Sequence, residues 1–159
     1  PLPLLLDEAR VPLSALEYRL LNRSVLGGVD IKADLLDWGF DVVAIDEASG
    51  GHCIALLFPH ILRKHGLFDD LLLDADRLHV FLREIERRYG ANPYHNRMHG
   101  CDVMLGVHRC LTNFGFALTL SPLHKLAALF AALAHDFAHP GTSNAFEVMT
   151  FSAHATSYS

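Results

Sequence analysis

The chain has 159 residues, of which 51% are hydrophobic and 19% charged, and its formal net charge is −5 at pH 7. This size and composition indicate one globular domain with a sizeable core, and with some apolar surface that faces something other than water. The acidic balance and the absence of a long Lys/Arg run argue against a nucleic-acid duplex as ligand, and no apolar run reaches the roughly 18 residues that span a bilayer.

The N-terminal part of the chain predicts one helix followed by a loop. Apolar residues recur at helical spacing between Asp7 and Asn22, and we interpret residues 1–29 as a helical linker that precedes a domain at residues 30–159. The segment Trp38 to Ile45 is rich in β-branched and aromatic residues, and Gly50-Gly51 follows soon after it. We therefore expect a packed loop over this segment.

Two helices are predicted in the middle of the chain. Apolar residues from His52 to His65 recur at helical spacing, and Gly66 is a natural stop after them. A second amphipathic helix, capped by Asp74 or Asp76, should run to Tyr89.

Two further helices follow the break at Asn92-Pro93. One should run from Asn96 to Asn113, and the other starts with Ser121 as N-cap and continues through Leu123 to Ala134. The last helix is apolar almost all round, which predicts that it is buried on every side. Because every predicted element is helical, the fold class is all-α.

Cysteine and histidine usage is informative about compartment and chemistry. The three cysteines are odd in number and have no C-x-x-C spacing, so a disulfide framework is poorly supported and a reducing, cytoplasmic compartment fits best. Eleven histidines are an unusual count. Five of them need no ligand to explain them and are expected to be ordinary structural residues: His60, His65, His79, His108 and His124.

The first histidine cluster contains His95 and His99. Residues four apart share one helix face, so the two imidazoles converge if the helix begins early enough to include both. This spacing alone is weak evidence, because such pairs also arise by chance in a His-rich chain.

The second cluster lies at the C-terminal end of the apolar helix. His135 and Asp136 sit where the last carbonyls already supply negative charge, so a carboxylate there favours a bound cation. An aspartate that pairs with a basic side chain or caps a loop is the alternative. The turn at Pro140-Gly141 should bring His139 back beside this site, unless it is a turn histidine of no consequence.

The segments Tyr94 to Val103 and His135 to Asn144 resemble the N-terminal half of the metal-binding signature of class I 3′,5′-cyclic nucleotide phosphodiesterases. Both motifs agree with the family, as do their order and separation. The resemblance implies an all-α, multi-helix bundle of the HD/phosphodiesterase type, incomplete at the C-terminus. It also implies metal-dependent hydrolysis of cAMP or cGMP to the 5′-monophosphate in signal transduction.

The resemblance implies that His99, His135 and Asp136 bind Zn²⁺. Asp136 would also bridge to a second cation, Mg²⁺ or Mn²⁺, whose other ligands are largely waters. Such a mixed set of imidazole and carboxylate ligands suits zinc together with a harder ion.

Other roles follow from the same resemblance. His95 would be the general acid that protonates the departing 3′ oxygen, His139 would hydrogen-bond a metal-bound water, and Tyr94 would line the pocket beside them. Asp102 can orient a ligand imidazole, although a solvent-facing helix aspartate is equally compatible with the sequence.

The family also uses a further metal-binding aspartate and a base-binding glutamine on later helices, and this chain ends at Ser159 before either. We therefore expect a truncated chain that is too short to be active alone, and that pairs with the missing C-terminal sequence or with a second copy. The preference between cAMP and cGMP stays open. Two alternatives remain: another HD-type phosphohydrolase, or a non-catalytic metal-binding or partner-binding helical module.

Overall fold

The computed structural model describes residues 35–158. Its elements are α1 (Val42–Ala48), α2 (Cys53–Lys64), α3 (Leu67–Asp70), α4 (Ala75–Arg88), α5 (Arg97–Asn113), a 3₁₀ helix (Phe116–Leu118), α6 (Pro122–Ala134), α7 (Asn144–Met149) and α8 (Ala153–Tyr158). No strand occurs in this part of the chain, so the all-α prediction is confirmed. The predicted helix at Asp7 to Asn22 lies outside the described residues, and the domain boundary stays a prediction.

The starts of the three longest predicted helices are fixed by local caps. The side chain of Asp74 accepts a hydrogen bond from the amide of Arg77 at the start of α4. Asn96 does the same for the first turn of α5, and Ser121 for α6. These caps satisfy amides that have no partner inside the helix, so the predicted starts agree with the structure.

The prediction of a loop at Trp38 to Ile45 is wrong in its second half, where α1 begins. The carboxylate of Asp41 accepts a hydrogen bond from the amide of Ala44 at 2.9 Å and caps the helix. Val42 and Ile45, three residues apart, are both buried on the side that faces the core. Capping and burial therefore outweigh the low helix propensity of the β-branched residues.

Helix α2 contributes more residues to the core than any other helix between residues 35 and 158, and it packs against α4 and α5. Nine of its twelve residues are buried, among them Ile54, Phe58 and Ile61. Helix α5 in turn packs against α6, to which it contributes Met104 and Leu105 as fully buried side chains. The core thus joins α5 to α6, and the histidine clusters lie at the start of α5 and just after the end of α6.

The prediction that α6 is buried on every side is wrong. Leu129, Ala132 and Leu133 are buried, but Leu123 is 63% exposed. The open side borders an apolar pocket of about 300 Å³. The pocket is lined by Phe58, Leu73, Leu78, Phe81, Leu123, Leu126, Ala127 and Phe130. An apolar composition shows that burial of a surface would be favourable, but it does not show what covers that surface. Among residues 35–158, α5 and the core cover only one face of α6.

None of the helices between residues 35 and 158 is, by itself, long and apolar enough to cross a membrane. Helices α1 and α2 pass the test of length and composition only when taken together, across a bend of 116°.

Candidate metal centre

The site begins with a close approach between α5 and the end of α6. A Cβ atom on Gly100 would lie 2.7 Å from the carbonyl oxygen of Leu133 and 2.8 Å from the hydroxyl of Tyr89. No larger residue fits there without a shift of backbone. Gly100 therefore lets the two helices come together at the point where His99, its neighbour in sequence, meets the turn that follows α6.

Tyr89 ties the end of α6 to α4. Its side chain is buried, and its hydroxyl donates a hydrogen bond of 2.5 Å to the carbonyl oxygen of Leu133. Burial raises the pKa of Tyr89 to about 12, so the hydroxyl keeps its proton and remains a donor. The carbonyl it binds is one of the last four of α6, which lack partners within the helix. This bond holds the turn that carries His135 and Asp136.

One carboxylate oxygen, Asp136 Oδ2, is surrounded by three imidazoles. It lies 2.7 Å from His95 Nδ1, 3.2 Å from His135 Nε2 and 3.5 Å from His99 Nε2. Burial alone would raise the pKa of Asp136, but the hydrogen bond from His95 and the neighbouring imidazoles outweigh burial, and the pKa is lowered. The carboxylate is therefore ionised at neutral pH and available as a ligand.

Two of the imidazoles have the form that metal coordination needs. Burial lowers the pKa of His99, which keeps its ring neutral at physiological pH. His135 Nδ1 donates to the carbonyl oxygen of Ala132 at 2.8 Å, so the lone pair of the neutral ring is on Nε2, the atom nearest Asp136. A backbone carbonyl that fixes the second ring nitrogen is typical of metal-binding histidines.

The donor set fits a divalent cation. Ligand atoms of His95, His99 and Asp136 all lie within 4.8 Å of one another, and His135 joins the group through Asp136. Two or three imidazoles with one carboxylate suit zinc, and the carboxylate also suits a harder ion. The predicted residues are thus brought together, and their individual roles stay predictions.

His95 does not share a helix face with His99, because α5 begins only at Arg97. The side chain of Asn96 accepts hydrogen bonds from the amides of Met98 and His99 and so caps the N-terminal end of the helix. The condition that the helix includes both histidines is therefore not met. The two rings nevertheless approach to 6.1 Å between centroids, because His95 folds back from the preceding loop.

His139 and Tyr94 lie beside the cluster. The ring of His139 stacks on His95 with centroids 3.9 Å apart, and the amide of Gly141 donates to His139 Nδ1 at 2.9 Å. Tyr94 is 62% exposed, and its ring lies 4.2 Å from that of His99. With the exposed Asp102, it helps to line a cleft of about 370 Å³ next to His99.

The sequence analysis missed an ion pair that supports the start of α5. Arg97 Nε and Nη2 donate to the two carboxylate oxygens of Asp46 at 2.7 and 2.6 Å. Asp46 is buried in α1, and the pair fixes α5 against that helix. No local signal could have found it, because the segment leading into α1 was predicted as a loop and the partners are 51 residues apart.

A family model and several curated relatives all place the chain among cyclic nucleotide phosphodiesterases. Residues 94–159 match the family model described as 3′5′-cyclic nucleotide phosphodiesterase. The dual specificity calcium/calmodulin-dependent 3′,5′-cyclic nucleotide phosphodiesterase 1 of Drosophila melanogaster is 36% identical over 148 residues, which is 89% of this chain and 18% of the relative.

Other relatives agree. The 1C enzyme of the same name from Mus musculus is 36% identical over 132 residues, covering 82% of this chain and 19% of the relative. The 1B enzyme from Bos taurus is 37% identical over 123 residues, covering 76% and 23%. The chain spans between 18% and 23% of the length of these curated relatives. The chain belongs to the class I 3′,5′-cyclic nucleotide phosphodiesterase family.

Proposed function

We propose that the protein hydrolyses 3′,5′-cyclic nucleotides, cAMP and cGMP, to 5′-nucleoside monophosphates in signal transduction, and that this chain supplies its metal ligands and its proton donor. The observation that carries the proposal is the convergence of His95, His99 and Asp136 within 4.8 Å. The relatives in fly, mouse and cattle are named as dual-specificity cyclic nucleotide phosphodiesterases, which supports both substrates.

The metal ligands in this proposal are His99, His135 and Asp136, with Asp136 shared between Zn²⁺ and a second cation, Mg²⁺ or Mn²⁺. Divalent cations held there would supply positive charge that stabilises the phosphoryl oxygens and acidifies water. The ionised state of Asp136 and the carbonyl-bound Nδ1 of His135 support this assignment.

The proton donor in the proposal is His95. Its Nδ1 donates to Asp136 Oδ2, so the opposite nitrogen, Nε2, points away from the carboxylate. As the oxygen of a water molecule bonds to phosphorus and releases a proton to solvent, the bond between phosphorus and the 3′ oxygen breaks; Nε2–H of the protonated ring gives its proton to that oxygen, and His95 is left neutral. The leaving group then departs as an alcohol and not as an alkoxide.

The neighbouring residues bind and orient the reactants. In this proposal His139 hydrogen-bonds water in the site and Tyr94 lines the pocket, and the stacking of His139 on His95 and of Tyr94 near His99 supports these roles. The cytoplasm is the compartment we propose, and the free thiols of Cys53, Cys101 and Cys110 are compatible with it.

Because this chain is expected to be too short to be active alone, the test uses the protein in which it is joined to the C-terminal sequence expected to complete it: hydrolysis of cAMP and cGMP in excess Zn²⁺ and Mg²⁺, with chromatographic detection of the 5′-monophosphate. We expect Asp136→Asn to lower the rate at least about 100-fold, since it removes a metal ligand. Asp69→Asn, the same change at an exposed position of α3, serves as the control and should match the unmodified chain. Stoichiometric metal binding without turnover would instead favour a non-catalytic metal-binding module.

A further inference from the structure

The side chain of Asn92 bridges the two loops that carry His95 and His139. Its amide nitrogen Nδ2 donates to the carbonyl oxygen of His95 at 3.1 Å and to that of His139 at 2.9 Å. An amide NH₂ group has two hydrogens, so both are used, one for each loop. The second bond joins residues 47 positions apart in the chain.

The surrounding backbone is built closely around this amide. A Cβ atom on Gly141 would lie 2.5 Å from Asn92 Oδ1, and Gly141 has a φ of +80°, which favours glycine. On the other side, Asn96 Nδ2 donates to the carbonyl oxygen of Asn92 at 2.9 Å and links it to the cap of α5. The position of Asn92 is therefore itself fixed by its neighbours, and from that position its amide binds the two loops.

The loops joined by Asn92 are those whose rings stack. His95 and His139 lie with centroids 3.9 Å apart and planes inclined by 14°, and His95 Nδ1 reaches Asp136 Oδ2 at 2.7 Å. We infer that Asn92 is a positioning residue, which fixes the imidazole of His95 for proton donation by tying its main chain to that of His139. This inference rests on the proposed function, because it assumes that His95 is the proton donor.

The metal ligands are positioned by different contacts. His99 lies on α5 and Asp136 follows α6, and these helices are fixed by the close approach at Gly100 and by the Tyr89 hydroxyl. Loss of the Asn92 amide should therefore increase the mobility of the His95 and His139 loops more than that of the proposed metal ligands His99 and Asp136. A displaced acid slows only reactions whose leaving group needs a proton, such as a 3′ alkoxide, and affects a p-nitrophenolate leaving group little.

The test compares Asn92→Ala with Asn113→Ala, an identical change at an exposed position at the end of α5. The first measurement is the rate at which diethylpyrocarbonate modifies each histidine of the metal-free chain, followed by mass spectrometry. With the loops released, we expect the rates at His95 and His139 to rise at least about threefold. The exposed His124 should react at the same rate in both variants.

The second measurement separates acid positioning from general damage by comparing two esters in excess Zn²⁺ and Mg²⁺. In Asn92→Ala, cAMP hydrolysis should fall about tenfold to 100-fold, because small displacements of a catalytic group are costly. Hydrolysis of thymidine 5′-(p-nitrophenyl phosphate) should fall by less than about twofold, because its leaving group departs without a proton.

The two measurements also separate failure of this inference from failure of the proposed function. Unchanged modification rates in Asn92→Ala, or an equal fall for both esters, would overturn the positioning role. If the unmodified protein, with the C-terminal sequence that completes it, hydrolyses neither ester, the proposed function fails, and the modification rates alone decide whether Asn92 positions His95.

Discussion

His99 Nε2 lies 3.5 Å from Asp136 Oδ2, although one residue is in the first turn of α5 and the other follows the last turn of α6. The neighbouring backbone explains the distance. Gly100, next to His99, meets the carbonyl of Leu133, which lies three residues before Asp136. The two proposed ligands are therefore brought together by helix packing.

Two glycines of α5 test this relationship. At Gly100 an added Cβ would collide with the Leu133 carbonyl, whereas at Gly106 nothing lies within 4 Å. We expect Gly100→Ala to lower the free energy of unfolding by about 1–3 kcal/mol through overpacking. Gly106→Ala should raise it by up to about 1 kcal/mol, because alanine is the better helix former. Urea unfolding of both variants measures the difference, and equal effects would contradict the packing argument.

The Tyr89 hydroxyl should contribute to stability and to the metal site together. Tyr89→Phe removes the donor to the Leu133 carbonyl, and we expect it to lower the free energy of unfolding by about 1 kcal/mol. The affinity for Zn²⁺ should also fall, because the turn that carries Asp136 is then less constrained. Tyr94→Phe removes the same group from an exposed ring and is the control for thermal unfolding. A Tyr89 variant that melts with the unmodified chain would show that the bond has no net effect.

Zinc affinity should distinguish His95 from His135, two of the three histidines that contact Asp136. We expect His135→Gln to lower the affinity at least about 100-fold, as loss of a direct ligand does. His95→Gln should lower it by about tenfold or less if His95 acts as proton donor and not as ligand. Competition with a chromophoric chelator measures both affinities, with the exposed His124→Gln as control. The reverse order would assign His95 to the metal, which its place within the 4.8 Å group also allows.

Local chemistry made much of the fold predictable. Ser121 with a following proline, Asp74 and Asn96 are caps that can be read from a few residues, and all three start helices where the sequence predicts them. Helix α1 was missed because its β-branched residues indicate extended structure, and only burial against the core makes the helix favourable. The cap at Asp41 was the available signal.

The candidate site was predictable in its residues and less so in its supports. The two histidine clusters and their resemblance to the phosphodiesterase signature named His95, His99 and Asp136 as candidates, and the structure brings them together. The bridge from Asn92 to the His139 carbonyl and the pair between Arg97 and Asp46 were missed, because both join residues about 50 positions apart. From the sequence, Asn92 is predicted only to be a loop residue beside a proline, because the role of its side chain depends on how the two loops pack.

The buried His108 should make stability depend on pH. It is 2% exposed, it shares a hydrogen bond of 2.9 Å with His65, and its Nε2 has no hydrogen-bond partner among residues 35–158. Burial, together with the neighbouring charges of His65, Lys64 and Arg109, lowers the pKa of His108 to about 4. The unfolded chain, with a pKa near 6.5, therefore binds more protons between pH 6.5 and 4.

It follows that this contribution to stability is fully present above about pH 6.5 and is lost as the pH falls towards 4. In His108→Leu that loss should be smaller, because one buried group that cannot accept a proton without destabilising the fold is gone. Other histidines whose pKa is lowered by burial, the half-buried His60 and the buried His79, keep part of the dependence. The measurement is the free energy of unfolding in urea between pH 7.5 and 4.5, with His124→Leu as the exposed control. If His108→Leu and the unmodified chain lose stability in parallel over that range, His108 is not the group responsible.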